Sequence, residues 1–170
     1  MKIRPFGLPP NPSSERGIWS PIDEAERLIT KSRAVVVHGG SYAFYQPNAD
    51  RIHLPEKNQF PEGDSYYATA LHELVHWTGH PARLNRELSR RFGEASYAIE
   101  ELVAEMGSAF LCAHCGINGK EQHASYLQSW LSVLKSDKRA IFTAAVQAPE
   151  YLSRLNCPSA PPLPYGEMSW

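Results

Sequence analysis

The stretch YYATALHELVHWTG, from Tyr66 to Gly79, contains the pattern HExxH at His72, Glu73 and His76. Residues four apart on an α-helix lie on one face, with Cβ atoms roughly 5–6 Å apart, so the two histidines can hold one metal ion between them. The glutamate follows the first histidine directly, where its carboxylate can reach a water on that metal without ligating the metal itself. The pattern therefore predicts a helix with two zinc ligands and a general base for peptide hydrolysis.

The residues around this pattern favour a helix. Asp64 and Ser65 are typical N-cap residues, Gly79 can end a helix, and Pro81 cannot continue one. Apolar side chains on the other faces can pack into a core while the histidines line a cleft. Because HExxH is short enough to recur by chance in a buried helix with hydrogen-bonded histidines, a third ligand is needed to decide between the two interpretations.

That third ligand is expected on a second helix, predicted from Ser96 to about Gly116 (SYAIEELVAEMGSAFLCAHCG). Glu101 and Glu105 are four residues apart, on a face away from the apolar stripe of this helix. One of these carboxylates can bind the metal while the other orients a ligating histidine from behind. In some metallopeptidases the third ligand opens an ExxxD or ExxA pattern on a later helix, and both ExxxE and ExxA begin at Glu101. Glu101 is therefore the predicted ligand, and Glu105 is the supporting carboxylate or an alternative ligand.

Two other candidates for the third ligand stay open. Glu100 lies one residue off the face of Glu101, and a different helix register brings it to the metal. His80 continues the four-residue spacing, but its place after Gly79 favours a loop or capping role. The run also satisfies HExxHxxG, the start of a metzincin signature that needs a histidine three residues after the glycine. Ala82 occupies that position, so a zincin with a glutamate as third ligand is expected.

Composition limits the class of protein. The chain has 170 residues, 42% hydrophobic content and a formal net charge of -1, which suits one globular domain with its own core. This charge leaves DNA binding possible but unsupported. The opening MKIRPFGLPPNP lacks the apolar segment of a secretory signal, and no run of about 18 apolar residues predicts a membrane span. Three cysteines are too few, and odd in number, for a disulfide framework. A soluble cytoplasmic protein with reduced thiols and no membrane partner is expected.

The chain is predicted to consist of an extended N-terminal arm, one domain, and a proline-rich tail, at residues 1–19, 20–156 and 157–170. A first helix is expected from Ser20 and Pro21, as N-cap and first helical residue, to about Lys31. Three β-rich runs follow and predict a small antiparallel sheet ahead of the HExxH helix. These runs are residues 34–38, 41–46 and 51–54.

Arginines are concentrated between the two site helices. The sequence favours a solvated connection whose arginines pair with Glu87 and Glu94, rather than a phosphate-binding patch. The arginines are Arg83, Arg86, Arg90 and Arg91.

Cysteines and helices complete the predicted domain. Cys112 and Cys115, with His114 between them, have the CxxC spacing of one half of a four-ligand metal site. The sequence contains no second pair, so two buried cysteines without a metal are favoured. Two further helices are expected within residues 121–155, where Pro149 ends or kinks the second one.

Three blocks of the chain resemble the metallopeptidase domain of ArdC-type antirestriction proteins, a domain also found in TraC-like primases and phage polyvalent proteins. They are YYATALHELVHWTGHPARLNR, YAIEELVAEMGSAFLCAHCGI and HASYLQSWLSVLKSDKRAIFTAA. The resemblance extends from about Pro21 to Leu155. It implies a zincin fold and a divalent metal held by His72 and His76, with Glu73 as base and the EELVAE segment as source of the acidic ligand. ArdC-type proteins also carry an N-terminal domain that binds single-stranded DNA, which the residues before the first predicted helix do not provide, so DNA masking is not expected.

The overall expectation is an α+β zincin-like domain, with a small antiparallel sheet packed on a helical core. It is predicted to act as a zinc metalloendopeptidase of a mobile genetic element, with one Zn²⁺ per chain, a protein or peptide substrate and an anti-defence role. Tyr97, Tyr45 and His80 are candidates for stabilising the oxyanion. The alternatives are a non-proteolytic antirestriction or interaction module with a structural metal, and a proteolytic toxin or effector that acts on a host protein.

Overall fold

Four strands and three α-helices form the part of the chain described by the computed structural model, which is residues 6–7, 20–86, 88 and 95–117. They are β1 (Phe6–Gly7), α1 (Asp23–Ser32), β2 (Val35–His38), β3 (Tyr42–Gln46), β4 (Arg51–Leu54), α2 (Gly63–Thr78) and α3 (Ala95–His114). Among these residues, no helix is long and apolar enough to cross a bilayer. The helices predicted after residue 120, the tail and most of the N-terminal arm lie outside the described residues.

The sheet is mixed, so the prediction of a wholly antiparallel sheet is wrong for β2. The strand order is β1-β3-β4-β2, which places β4 between β3 and β2. β3 runs antiparallel to β1 and to β4. β2 runs parallel to β4, with Val35 opposite Arg51 and His38 opposite Leu54. The α+β class itself is confirmed.

The connection between β2 and β3 explains this difference. Gly39 and Gly40 have φ angles of 141° and 74°, which residues with a side chain rarely adopt. The N–H of Gly39 donates to the carbonyl oxygen of Leu54 at 2.9 Å, so the chain turns across the end of β4. It then spans two strand spacings, roughly 10 Å, before β3 begins. A Gly-Gly pair has the same local signature whether it closes a hairpin or crosses a neighbouring strand.

Successive side chains of β3 and β4 point to opposite faces of the sheet, so alternate residues of each strand face the core. Buried side chains of α2 and α3 complete this core, which lies between the sheet and the two helices. Burying each large apolar side chain stabilises the fold by roughly 1.5–3 kcal/mol. The residues concerned are Ala43 and Tyr45 of β3, Ile52 and Leu54 of β4, Leu71, Leu74 and Val75 of α2, and Leu102, Val103 and Leu111 of α3.

The start of α1 differs from the prediction. Ile22 is the N-cap and Asp23 the first helical residue, so Ser20 does not cap the helix. Three acidic residues in the first turn complement the positive end of the helix dipole instead. α1 is tied to the start of α2, since the Tyr67 hydroxyl donates to Glu26 at 2.6 Å.

The start of α2 also differs, because its N-cap is Glu62 and its first residue is Gly63. Asp64 and Ser65, predicted as caps, lie inside the first turn. Within the described residues, Glu62 makes no side-chain capping hydrogen bond. The helix ends at Gly79 as the sequence predicts, but Gly79 keeps right-handed angles, with φ of -73°. Gly79 is therefore required for a reason other than left-handed backbone.

Candidate metal centre

Two imidazole rings meet across one turn of α2. The Nε2 atoms of His72 and His76 lie 3.2 Å apart. Two nitrogens that ligate one tetrahedral zinc ion at 2.0–2.1 Å lie about 3.3 Å apart, so this separation suits a shared metal. The spacing of four residues produces the arrangement, because one helical turn holds 3.6 residues.

Glu101 of α3 reaches the same point. Its Oε1 lies 3.6 Å from Nε2 of His76, and its Oε2 lies 3.9 Å from Nε2 of His72. One ligand atom from each of the three residues lies within 4.8 Å of the others. Two imidazoles and one carboxylate are a donor set of hydrolytic zinc sites. The described residues therefore fit a divalent metal at the place that the sequence predicts, and the ligand roles stay predictions.

Burial of carboxylates distinguishes this part of α3 from an ordinary helix face. Glu100, Glu101 and Glu105 are all buried, while Leu102 and Val103 between them pack into the core. A buried charge without a partner costs several kcal/mol, so three carboxylates within two turns require cations or hydrogen-bond donors close by. The site supplies these from α2 and from the loop that follows it.

Glu100 holds His76 from the side away from the shared point. Its Oε1 lies 3.0 Å from Nδ1 of His76. Arg86 donates to both oxygens of the same carboxylate, from Nε at 2.8 Å and from Nη2 at 2.8 Å. A carboxylate on Nδ1 fixes the ring and leaves Nε2 for the metal. Glu100, an alternative ligand in the sequence analysis, therefore contacts a predicted ligand rather than the metal position.

The charges around His76 affect its proton. Burial alone lowers the pKa of His76, but the hydrogen bond with Glu100 and the nearby carboxylates of Glu101, Glu100 and Glu73 raise it to about 9. Arg86 and His76 overcome the effect of burial on Glu100 and hold the pKa of that carboxyl below its usual range. A metal ion that binds Nε2 must therefore displace a proton from His76.

Glu105 takes the corresponding place behind His72. Its Oε1 lies 3.7 Å from Nδ1 of His72, which is longer than a direct hydrogen bond. Each imidazole thus has Nε2 towards the shared point and Nδ1 towards a glutamate of α3. Glu105 therefore lies on the Nδ1 side of His72, and its supporting role stays a prediction.

Glu73 lies between the two histidines in sequence and is buried. Burial raises its pKa to about 7, against the opposing charge of His76 and with a further contribution from Glu101. The nearby backbone N–H of Tyr45 on β3 favours the charged carboxylate and partly opposes this rise in pKa. A carboxyl group with a pKa near neutrality can both accept and return a proton, which is the property of a general acid–base residue.

The three candidate oxyanion stabilisers differ in position. The Tyr45 hydroxyl is buried and donates to Asp50 at 2.8 Å, and Arg83 donates to it at 3.2 Å, so this tyrosine is committed to the core. His80 lies in the loop after α2, where Nδ1 accepts from the N–H of Ala82 at 3.1 Å. Tyr97 lies on α3, four residues before Glu101 and on the same helix face.

The sequence did not predict that Glu100 contacts His76 or that Arg86 holds Glu100 in place. Of the four arginines expected to be solvated, Arg83 and Arg86 are largely buried and pair with Asp50 and Glu100. Arg90 and Arg91, and the predicted partners Glu87 and Glu94, lie outside the described residues. An arginine in a loop has no periodic signature. The available signal was electrostatic, because three glutamates on one largely apolar helix require a cation other than one metal ion.

Comparison with known proteins places this geometry in a family. Residues 23–147 match the family described as zincin-like metallopeptidase. The crystal structure of the antirestriction protein ArdC from plasmid R388, with Mn(II) bound, superposes with a TM-score of 0.71 at 40% identity over 88% of this chain. The metal-free ArdC structure superposes with a TM-score of 0.67 at 38% identity over 91% of this chain.

Curated relatives match the same region. A DNA primase TraC of Escherichia coli is 50% identical over 144 residues, 84% of this chain. The uncharacterized protein y4eC of Sinorhizobium fredii is 43% identical over 146 residues, 85% of this chain. The match spans 14% of that TraC, 46% of y4eC and 57% of the Mn(II)-bound ArdC chain, so each relative is considerably longer. Since the family match covers residues 23–147 and the ArdC structure shares the fold, the chain belongs to the zincin-like metallopeptidase family and is related to ArdC and TraC.

Proposed function

We propose that this chain is a zinc-dependent endopeptidase domain. The observation that carries the proposal is the paired orientation of His72 and His76, each with Nε2 at one shared point and Nδ1 towards a glutamate, and with Glu73 buried beside them. A metal needed only for stability does not require a buried general base next to it. Structural zinc sites are also closed by four protein ligands, whereas three ligands leave a position for substrate.

Zinc is the proposed metal because imidazole nitrogens and a carboxylate suit it. The related protein ArdC was crystallised with Mn(II), so manganese is the competing metal to test. Mass spectrometry of protein purified without chelator or affinity metal, followed by cleavage assays of metal-free protein reloaded with Zn²⁺ or with Mn²⁺, separates the two, because raw affinity favours zinc at almost any such site. About one zinc per chain and cleavage with Zn²⁺ support the assignment, and cleavage with Mn²⁺ alone contradicts it.

In the proposed reaction, Glu73 is the proton carrier. A bound zinc ion supplies Lewis-acid polarisation of the scissile carbonyl and of the attacking water. Glu73 accepts the proton of that water and returns it to the nitrogen of the leaving amine. Glu100 and Glu105 keep the two imidazoles in orientation. Tyr97 is the favoured donor to the oxyanion, because its helix face is that of Glu101.

The first prediction tests Glu73. Glu73→Gln keeps the shape of the side chain but removes the proton acceptor, so proteolysis is expected to fall by at least about 100-fold. Metal content should stay at the wild-type value, because Glu73 is not among the proposed ligands. Cleavage of an unfolded protein such as casein, or of a peptide library read by mass spectrometry, measures the effect.

Glu56→Gln is the matched control, since Glu56 is an exposed glutamate outside the site. It should retain wild-type cleavage. Full activity of Glu73→Gln contradicts the mechanism, and loss of its metal assigns Glu73 to the ligands instead.

An anti-defence role is the second proposal, supported by the 40% identity with the antirestriction protein ArdC. In this role the chain acts on a protein of a restriction system, either by cleaving it or by binding it. Protection of plasmid DNA in restricting cells distinguishes the two modes. Protection that Glu73→Gln abolishes supports cleavage, and protection that survives the substitution supports a binding module.

A further inference from the structure

We infer that Arg86 is a positioning residue of the metal centre, which acts through Glu100 to fix the ring of His76. The inference rests on the proposed metal site but not on proteolysis. It concerns a residue of the loop between the two site helices, outside the HExxH pattern and outside α3. Its consequence is that metal affinity depends on the shape of the Arg86 side chain and not on its charge alone.

Arg86 donates hydrogen bonds to α3 and to the last turn of α2. Its Nε and Nη2 each donate to a different oxygen of Glu100 at 2.8 Å. Nη2 also donates to the carbonyl oxygen of Val75 at 2.8 Å, and Nη1 donates to Oγ1 of Thr78 at 2.9 Å. The side chains of Arg86 and Glu100 are only 7% and 8% exposed. The guanidinium therefore joins the last turn of α2 to α3 immediately behind His76.

The loop backbone is built to bring Arg86 there. The N–H of Arg86 donates to the carbonyl oxygen of Gly79 at 3.0 Å, and that of Leu84 donates to Thr78 at 3.0 Å. A Cβ on Gly79 would lie 2.9 Å from Nη2 of Arg86 and 2.7 Å from Cδ2 of Leu88. Gly79 thus leaves the space through which the guanidinium passes, which explains a glycine with right-handed angles at the end of α2.

The hydrogen bonds around Glu100 require the planar, forked guanidinium group of an arginine. Glu100 accepts from His76 on Oε1 and from Arg86 on both oxygens, so its plane is fixed by three donors. A lysine ammonium is a single point and cannot donate to both oxygens, to Val75 and to Thr78 in this planar pattern. With Glu100 loose, the ring of His76 can rotate about its side-chain torsions, and Nε2 leaves the position that it shares with His72.

Metal affinity tests the inference. Zn²⁺ affinity by competition with a chromogenic chelator, and the visible spectrum of bound Co²⁺, are measured for wild type, Arg86→Lys and Arg83→Lys. Arg83→Lys is the matched control, because Arg83 anchors the same loop through Asp50 and the Trp77 carbonyl and not through Glu100. We expect roughly 10- to 100-fold weaker zinc binding and an altered Co²⁺ spectrum for Arg86→Lys, with wild-type values for Arg83→Lys.

A double-mutant cycle separates positioning from general destabilisation. If Arg86 acts through Glu100, Arg86→Lys weakens zinc binding in the wild-type background but adds little to Glu100→Gln. Independent, additive losses overturn the inference. Gly79→Ala, whose added Cβ would crowd Leu88 and the guanidinium of Arg86 and would leave every charge in place, is the second variant if Arg86→Lys does not fold. It should weaken zinc binding in the same direction.

The outcomes distinguish this inference from the proposed function. The positioning role is overturned, while the metal site stands, if Arg86→Lys keeps wild-type zinc affinity and an unchanged Co²⁺ spectrum. The same result for Gly79→Ala counts in the same way if that variant takes its place. Failure of the wild-type protein to bind Zn²⁺ or Co²⁺ overturns both. Metal binding without cleavage of any protein leaves the role of Arg86 supported and removes only the peptidase activity.

Discussion

Two charge pairs hold single residues in place around the loop that follows α2. His76 is fixed by Glu100, which is in turn fixed by Arg86. A second pair, Arg83 and Asp50, ties the loop after α2 to the connection between β3 and β4, where Asp50 also accepts from the Tyr45 hydroxyl. The contacts of this second pair involve none of the three proposed metal ligands, so its substitution tests stability without removing a ligand.

Asp50 gives stability a dependence on pH. The hydrogen bond from Arg83 holds the pKa of Asp50 below its usual range, against the effect of burial. A carboxyl whose pKa falls on folding stabilises the protein above its unfolded pKa of about 3.9, and the stabilisation disappears as the pH falls through the folded value. Because the side chain is 41% exposed, water screens the pair, and Asp50→Asn should cost only about 1 kcal/mol at pH 7.

Urea unfolding at pH 7, 5 and 3 measures this prediction. The difference between wild type and Asp50→Asn should be equal at pH 7 and 5 and should shrink at pH 3. A difference that is constant down to pH 3 contradicts a charge-based contribution. Glu56→Gln, an exposed substitution, should show little difference at any of these pH values.

At the scale of elements, the connections between the strands determine their order and direction in the sheet, which the sequences of the strands do not predict. β2, β3 and β4 are each predictable from composition, but the crossing of Gly39 and Gly40 over the end of β4 makes the sheet mixed. The result places β3 beside α2, where the backbone N–H of Tyr45 favours the charged form of Glu73 and lowers its pKa. The order of the strands therefore matters to the site.

Gly40 is the position where this connection can be tested. Its φ of 74° costs a residue with a Cβ about 1–2 kcal/mol, while among the described residues no atom lies within 4 Å of an added Cβ. Gly40→Ala should lower the free energy of unfolding by about that amount without a steric effect. Gly40→Asn should cost less, because asparagine tolerates left-handed backbone. Equal stability of Gly40→Ala and wild type in urea unfolding contradicts the left-handed conformation.

For the whole molecule, the metal centre is a link between α2 and α3 as well as a site of chemistry. Its three proposed ligands come from both helices, and most of the buried side chains around them belong to the common core. A ligand that binds only the folded chain stabilises it in proportion to the logarithm of its concentration above Kd. Metal binding and global stability should therefore change together.

Metal removal tests this link. At a free Zn²⁺ concentration 100-fold above Kd, the stabilisation is about 2.7 kcal/mol, which should raise Tm by roughly 5–11 °C over protein in chelator for a chain of this size. Glu101→Ala should lose most of the rise, because one of its three proposed ligands is absent. Calorimetry with and without metal measures both effects. A full rise in Glu101→Ala contradicts the assignment of Glu101 as third ligand.

Sequence alone determined the parts of this protein that depend on local spacing. HExxH on one helix and a glutamate on a later helix indicate a zincin-like domain, because four-residue spacing places side chains on one face wherever the helix lies. Only the tertiary structure decided that β2 runs parallel to β4, that Glu100 contacts His76, and that Arg86 holds Glu100. These features join residues from different elements, and their free energy comes from burial and charge pairing that exist only after the elements pack.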